Sequence, residues 1–227
     1  MALMVQQTML ESVRVLSHAL IEAPRLFSYC YALQAVEMDT SRIEDFSEFF
    51  YYCSSLRSIP LLDTSAGRDF SYMFSGCSSL VFLPPLDTSN GRSFRYMFAW
   101  LNDYGGSLVT LPLLDTRRGR EFDGMFDGTS LRTIPALDLS GIRGEIGFSN
   151  SYGLGRIEVV GLGAANDESI TVNVSWTALD AAALNALYRK LEPISCGGTI
   201  AISGTPGSQQ PEHQSELATS KGWTITY

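Results

Sequence analysis

The chain has 227 residues, 45% of them apolar and 18% charged, and 24 acidic against 16 basic side chains give a formal charge of -8. That length buries a core as one domain or two modest ones, and the composition is neither disordered nor collagenous. An acidic balance with only two lysines, Lys190 and Lys221, repels phosphate backbones and anionic lipid, which excludes nucleic acid and membrane surfaces as partners.

In residues 1–25, Leu10, Val13, Leu16, Leu20 and Ile21 stand at helical spacing and predict an amphipathic helix that caps the first repeat or docks onto a neighbour. The opening MALMVQQTMLESVRVL has no basic n-region, continuous apolar run or small-residue cleavage site, so export by the general secretory route is not expected. No run approaches the ~20 apolar residues of a transmembrane helix.

Residues 26–168 are repeats. A phenylalanine opens each unit at Phe27, Phe50, Phe74, Phe98, Phe126 and Phe148, in steps of 23, 24, 24, 28 and 22 residues. Leu33, Leu56, Leu80, Leu108, Leu131 and Leu154 form a second column, and Asp39, Asp63, Asp87, Asp115 and Asp138 a third. Three columns keeping one period identify stacked units, each too small to bury its own apolar face. The long step comes from an insertion at 100–106, which behaves as a surface loop. Within a unit, Phe70, Met73, Phe74 and Cys77 fall at i, i+3, i+4 and i+7, predicting a short helix, and Phe94, Met97, Phe98 and Leu101 repeat it. SLRSIPLLDTS and SLVFLPPLDTS then read as brief strands leaving through turns.

From Ser169 the repeat signature stops while strand and helix continue to alternate. Strands are expected at SITVNV, TIAISG and WTITY, a helix over TALDAAALNALYRKLE with Thr177 as N-cap, and a second helix over PEHQSELATSKG with Pro211 in its first turn. Strand starts near Thr171, Thr199 and Trp223 keep nearly the repeat spacing, so 169–227 reads as a continuation that caps the stack.

The pattern from Met73 to Ser89, MF, two residues, C, two residues, L, two residues, I or L, P and then LDTS, resembles the BspA-type leucine-rich repeat over about residues 26–162. It departs from that pattern after LDTS, where Gly-Arg stands at Gly67-Arg68, Gly91-Arg92 and Gly119-Arg120. The ending, with NALYRKL and TSKGWTI, resembles the tail of repeat proteins encoded in phage structural gene clusters. The expected fold is thus an α/β, leucine-rich-repeat-like βα solenoid with a parallel sheet, an N-terminal helical cap and a C-terminal βαβαβ cap.

Cys30, Cys53 and Cys77 share one slot and read as a ladder of small buried hydrophobes. No paired spacing suggests a metal, and an unexported chain disfavours disulfides between rungs. Cys196 stands alone. Asp63, Asp87, Asp115 and Asp138 read as turn carboxylates accepting backbone N–H groups, with Ca²⁺ ligation as the alternative. Arg68, Arg92 and Arg120 share a register, so they form either a solvated mixed-charge edge with Asp69 and Glu121 or a guanidinium stripe for acidic sugars or a neighbouring subunit. Tyr51, Tyr52, Tyr72, Tyr96, Trp100 and Tyr104 mostly cover the core, while the loop carrying Trp100 and Tyr104 is the candidate contact site. His18 and His213 lie in unrelated predicted helices, and HExxH, P-loop and GxSxG motifs are absent. The Asn173-Val174-Ser175 sequon has no consequence without export.

These features point to a non-enzymatic protein without cofactor that works by extended contact. The resemblance implies a phage virion component (tail, fibre tip or head decoration) that meets other virion proteins, a host receptor or a glycan, as a homo-oligomer or within a larger assembly. The alternative it implies is a bacterial surface adhesin exported by another route.

Overall fold

The structure is a computed structural model that describes residues 11–15, 24–101, 108–164 and 168–227. It is a parallel-sheet solenoid of about 8 turns with few helices. Nine strands are defined among the described residues: β1 (Ser12–Val15), β2 (Ala35–Met38), β3 (Glu121–Phe122), β4 (Thr133–Asp138), β5 (Arg143–Gly147), β6 (Arg156–Val160), β7 (Ile170–Asn173), β8 (Gly198–Ala201) and β9 (Trp223–Thr226). They fall on two ladders. The first begins as single bridges joining Asp45, Asp69, Ser93 and Glu121, then widens into the parallel order β3-β5-β7-β8-β9. The second comprises β1-β2, the bridge between Ser58 and Phe82, and β4-β6. The first ladder passes from the repeats into 169–227 unbroken, with Ile146 beside Val172 and Val172 beside Ile200.

The second ladder stays thin because Pro60, Pro84, Pro112 and Pro135 occupy one slot of the unit, and proline offers no amide to a neighbouring strand. Pro135 lies where the pairing of β4 with β6 shifts register, between Ile134 and Leu137.

The predicted helix at the start of each unit is replaced by a ribbon of turns. The amides of Phe70, Tyr72, Phe74 and Gly76 donate to Ser93, Arg95, Met97 and Ala99 of the next turn at 2.8–3.0 Å. Those of Met73, Ser75 and Cys77 close tight turns onto Phe70, Tyr72 and Phe74. Every second N–H therefore leaves the segment, which no α-helix permits. Tyr72 and Gly76 have φ of 58° and 75°, and Glu48, Tyr52, Tyr96 and Trp100 are likewise left-handed. One such residue in four breaks the helix but keeps its apolar spacing, so Phe70, Met73, Phe74 and Cys77 all point inward.

Two phenylalanine columns fill the core. Phe27, Phe50, Phe74, Phe98, Phe126 and Phe148 stack at 5.3–5.9 Å between ring centroids and within 15° of parallel. Phe46, Phe70, Phe94 and Phe122 stack at 5.4–5.7 Å. Offset aromatic stacks at this spacing are favourable beyond the area they bury.

The N-terminal expectation is corrected where it is visible. Ser12–Val15 is a strand paired in parallel with Ala35–Met38, its polar residues outward, whereas Leu10, Leu16, Leu20 and Ile21 lie outside the described residues. In the C-terminal stretch, helix α1 spans Ala181–Lys190 and is capped by Asp180, whose carboxylate accepts the Ala183 amide at 2.8 Å; Thr177, the expected cap, bonds the Val174 carbonyl instead. The second expected helix, over 211–222, shrinks to α2 (Glu216–Thr219), and a 3-10 turn at Pro206–Gln209 precedes it. Residues between them are held onto α1: Gln210 accepts the Ala181 amide, and Asn185 bonds Glu212 and Gln214. Lys221 closes the far end of α1, donating to the carbonyls of Tyr188, Arg189 and Leu191 at 2.7–3.2 Å.

Candidate functional site

The cysteine slot joins turns to one another. Cys53 Sγ donates to the Phe27 carbonyl at 3.1 Å and Cys77 Sγ to that of Phe50 at 3.0 Å, and Cys30, Cys53 and Cys77 are buried thiols. Burial raises the Cys53 thiol far above its ordinary value and pushes Cys77 up to about 12. Both therefore stay protonated and inert. Ser151 continues the slot, its hydroxyl on the Phe126 carbonyl at 2.7 Å.

The aspartates sit in turns. Asp39, Asp63, Asp87, Asp115 and Asp138 each accept the amide two residues on at 3.0–3.2 Å, and Asp63 and Asp87 also take a serine hydroxyl at 2.6 Å. Hydrogen bonds from Ser89 hold the Asp87 carboxyl below its usual range, and Arg117 does the same for Asp115. Among the described residues, no group of three or more His, Cys, Asp or Glu gathers as metal ligands would.

Each threonine that follows such an aspartate forms a further ladder. Thr40, Thr64, Thr88 and Thr116 are buried and donate to the carbonyls of Asp63, Asp87, Asp115 and Asp138 at 2.8–3.0 Å. Their signal in the sequence is the recurrence of threonine directly after Asp39, Asp63, Asp87 and Asp115.

Arg68, Arg92 and Arg120 stand in one column, each amide donating to the carbonyl one turn back at 2.8 Å, and Arg143 is a fourth member, bonded to Arg120. It escaped the sequence reading because Ile142 takes the place that glycine holds in the three earlier units. The column is exposed and unevenly neutralised. Arg68 meets Glu44 at 3.3 Å and Arg143 meets Glu168 at 3.8 Å, while Arg120 donates to the Gly141 carbonyl at 3.0 Å. Asp69 and Glu121 lie one residue on; Glu121 faces Arg95 and accepts the Ser93 hydroxyl.

The left-handed aromatics form two outer columns over the ribbon, one through Tyr29, Tyr52 and Trp100 and one through Tyr72 and Tyr96. Tyr29 stacks on Tyr52 at 5.7 Å, Tyr72 on Tyr96 at 4.9 Å and Tyr96 on Trp100 at 5.5 Å. Where a ring would collide with the next turn, that turn has glycine: Gly76 under Tyr52, Gly124 under Tyr96, Gly128 under Trp100. Tyr52, Tyr72 and Tyr96 are half-buried, while Tyr29 and Trp100 are exposed. Tyr104 and the rest of the insertion beyond Leu101 lie outside the described residues.

His213 lies in no helix; its Nε2 meets the Tyr188 hydroxyl at 2.9 Å, while His18 is outside the described residues. A shallow groove separates β6 from α1, lined by Arg156, Ile157 and Glu158 on one side and Ala183, Ala186 and Lys190 on the other. None of the described helices is long and apolar enough to cross a membrane. No family model matches the chain, and no curated protein matches it either.

Proposed function

We propose that the protein is a non-enzymatic structural and binding component of a phage virion, in a tail, a fibre tip or a head decoration, where a rigid repeat surface meets other virion proteins or the host. The observation that carries this reading is the use made of the polar columns. Cysteine thiols, threonine hydroxyls and aspartate carboxylates are engaged in bonds within and between turns, which leaves shape and outer columns as what the molecule offers. The BspA-type resemblance supplies the context, and 169–227 closes the stack as its C-terminal cap.

Mass spectrometry of purified particles, with copy number per virion, is the test. Hundreds of copies indicate decoration, a handful a tail tip, and absence from particles overturns the proposal. The exposed arginine column favours the second reading, a bacterial surface adhesin, because guanidinium forks suit the carboxylates of acidic glycans. Neighbouring secretion genes in place of portal or baseplate genes would support it.

A further inference from the structure

Exposed large hydrophobic side chains gather on the second ladder. Leu61, Val81, Phe82, Val109 and Leu113 lie on three consecutive turns, with Leu61 76%, Phe82 61% and Leu113 75% exposed. Scattered exposed leucines are ordinary, whereas a contiguous apolar group marks a contact surface.

The face has a pattern. Each turn presents two central outward positions: Ser58 and Leu61, Phe82 and Pro85, Thr110 and Leu113, Thr133 and Ala136, all exposed. A bulky member therefore lies across from a smaller one in the first three turns, and Phe82 projects on the side where its neighbours are Ser58 and Thr110. Opposite, Pro85 lies low between Leu61 and Leu113. The rims carry opposite charge. One has Arg57 and Arg132, with Val81 and Val109 between them; the other has Asp63, Asp87 and Asp138, together with Asp115 paired to Arg117. Among the described residues, neither Arg57 nor Arg132 has a carboxylate within 4.0 Å.

We propose that this face is an isologous dimer interface, on which a second copy of the chain packs about a two-fold axis parallel to the stack. Three features select that occupant. A surface repeating every ~4.8 Å stays in register over several turns only against one of the same pitch, which a second copy has. This axis sets the arginine rim of each copy over the aspartate rim of the other, Arg57 over Asp63 and Arg132 over Asp138. It also lowers Phe82 onto Pro85, between Leu61 and Leu113. A two-fold axis along the strands would set Arg57 over Arg132 and lose both complementarities. The proposal goes beyond the virion reading and stands or falls separately from it.

Sedimentation equilibrium of the full chain tests it. The expected mass is that of two chains. Phe82→Glu and, separately, Leu113→Asp raise the dimer dissociation constant about tenfold or more, since central apolar anchors dominate interfaces. Circular dichroism stays unchanged, because both side chains are exposed in the single chain. Arg57→Glu weakens the dimer about threefold or more, and a chain carrying both Ser58→Cys and Leu61→Cys cross-links to a covalent dimer under mild oxidation. A single chain at all concentrations overturns the proposal. So does a dimer indifferent to Phe82→Glu, and so does one that Arg57→Glu tightens.

Discussion

The repeats from 24 to 164 and the stretch from 168 to 227 share one parallel ladder and cover it with different materials. In the repeats, stacked phenylalanines fill the core and a ribbon of turns with left-handed aromatics closes the outside. Beyond them the Phe148 position passes to Val174 and Ile202, strands become regular, and α1 packs beside β6. The cysteine slot changes too. Its side chain bonds the previous turn at Cys53, Cys77 and Ser151, but its own turn at Thr177 and Thr205. What persists is the backbone pattern, while side chains follow whatever covers the core. Aromatic columns couple neighbouring turns tightly, and the aliphatic stretch relies on a helix held by local polar contacts.

The largest test of that contrast is cavity formation. Phe74→Ala in mid-column should cost about 3–5 kcal/mol and Val174→Ala about 1–3 kcal/mol in denaturant unfolding. Equal costs would erase the distinction. Next comes the backbone. Gly124 has φ of 55° beneath the Tyr96 ring, so Gly124→Ala should lose about 2 kcal/mol or more, while Gly155, with nothing within 4 Å of an added Cβ, should tolerate alanine to within about 0.5 kcal/mol. Lys221→Met removes the donor to the last two bonded α1 carbonyls, of Tyr188 and Arg189, and to that of the cap residue Leu191, and should cost about 1 kcal/mol, read as faster hydrogen exchange in α1 with residues 46–98 unchanged.

Smaller effects separate the regions chemically. A thiol reagent should modify one cysteine per native chain, the exposed Cys196, and all four after unfolding. The turn aspartates contribute an acid limb. Asp87 is held below its unfolded value, so its contribution is present above that value, near pH ~4, and is lost as pH falls through the lower folded one. Asp87→Asn should slightly flatten the acid limb of a stability-against-pH curve, because the group is exposed and screened.

Columns were readable in the sequence wherever one residue type does the same job in every turn, as Phe50, Cys53 and Asp63 do. The ribbon was not, because inward residues at Phe70, Met73, Phe74 and Cys77 suit a helix and a chain of four-residue turns equally well. Left-handed tyrosines and tryptophans carry no propensity signal; their trace was the glycine that follows one turn later, as Gly76 follows Tyr52. The outward leucines were hidden for another reason. Leu61 and Leu62 look alike in a short apolar run, and only the double exposure at Pro60 and Leu61, which breaks strand alternation, separates them.

Because each turn hands alternate amides to the next, one full unit can be excised or duplicated and every interrupted bond finds an equivalent acceptor. Recombination between neighbouring repeats would thus lengthen or shorten the object in increments of about 4.8 Å, like links added to a chain. A single-codon deletion inside the ribbon, by contrast, throws its donors out of phase.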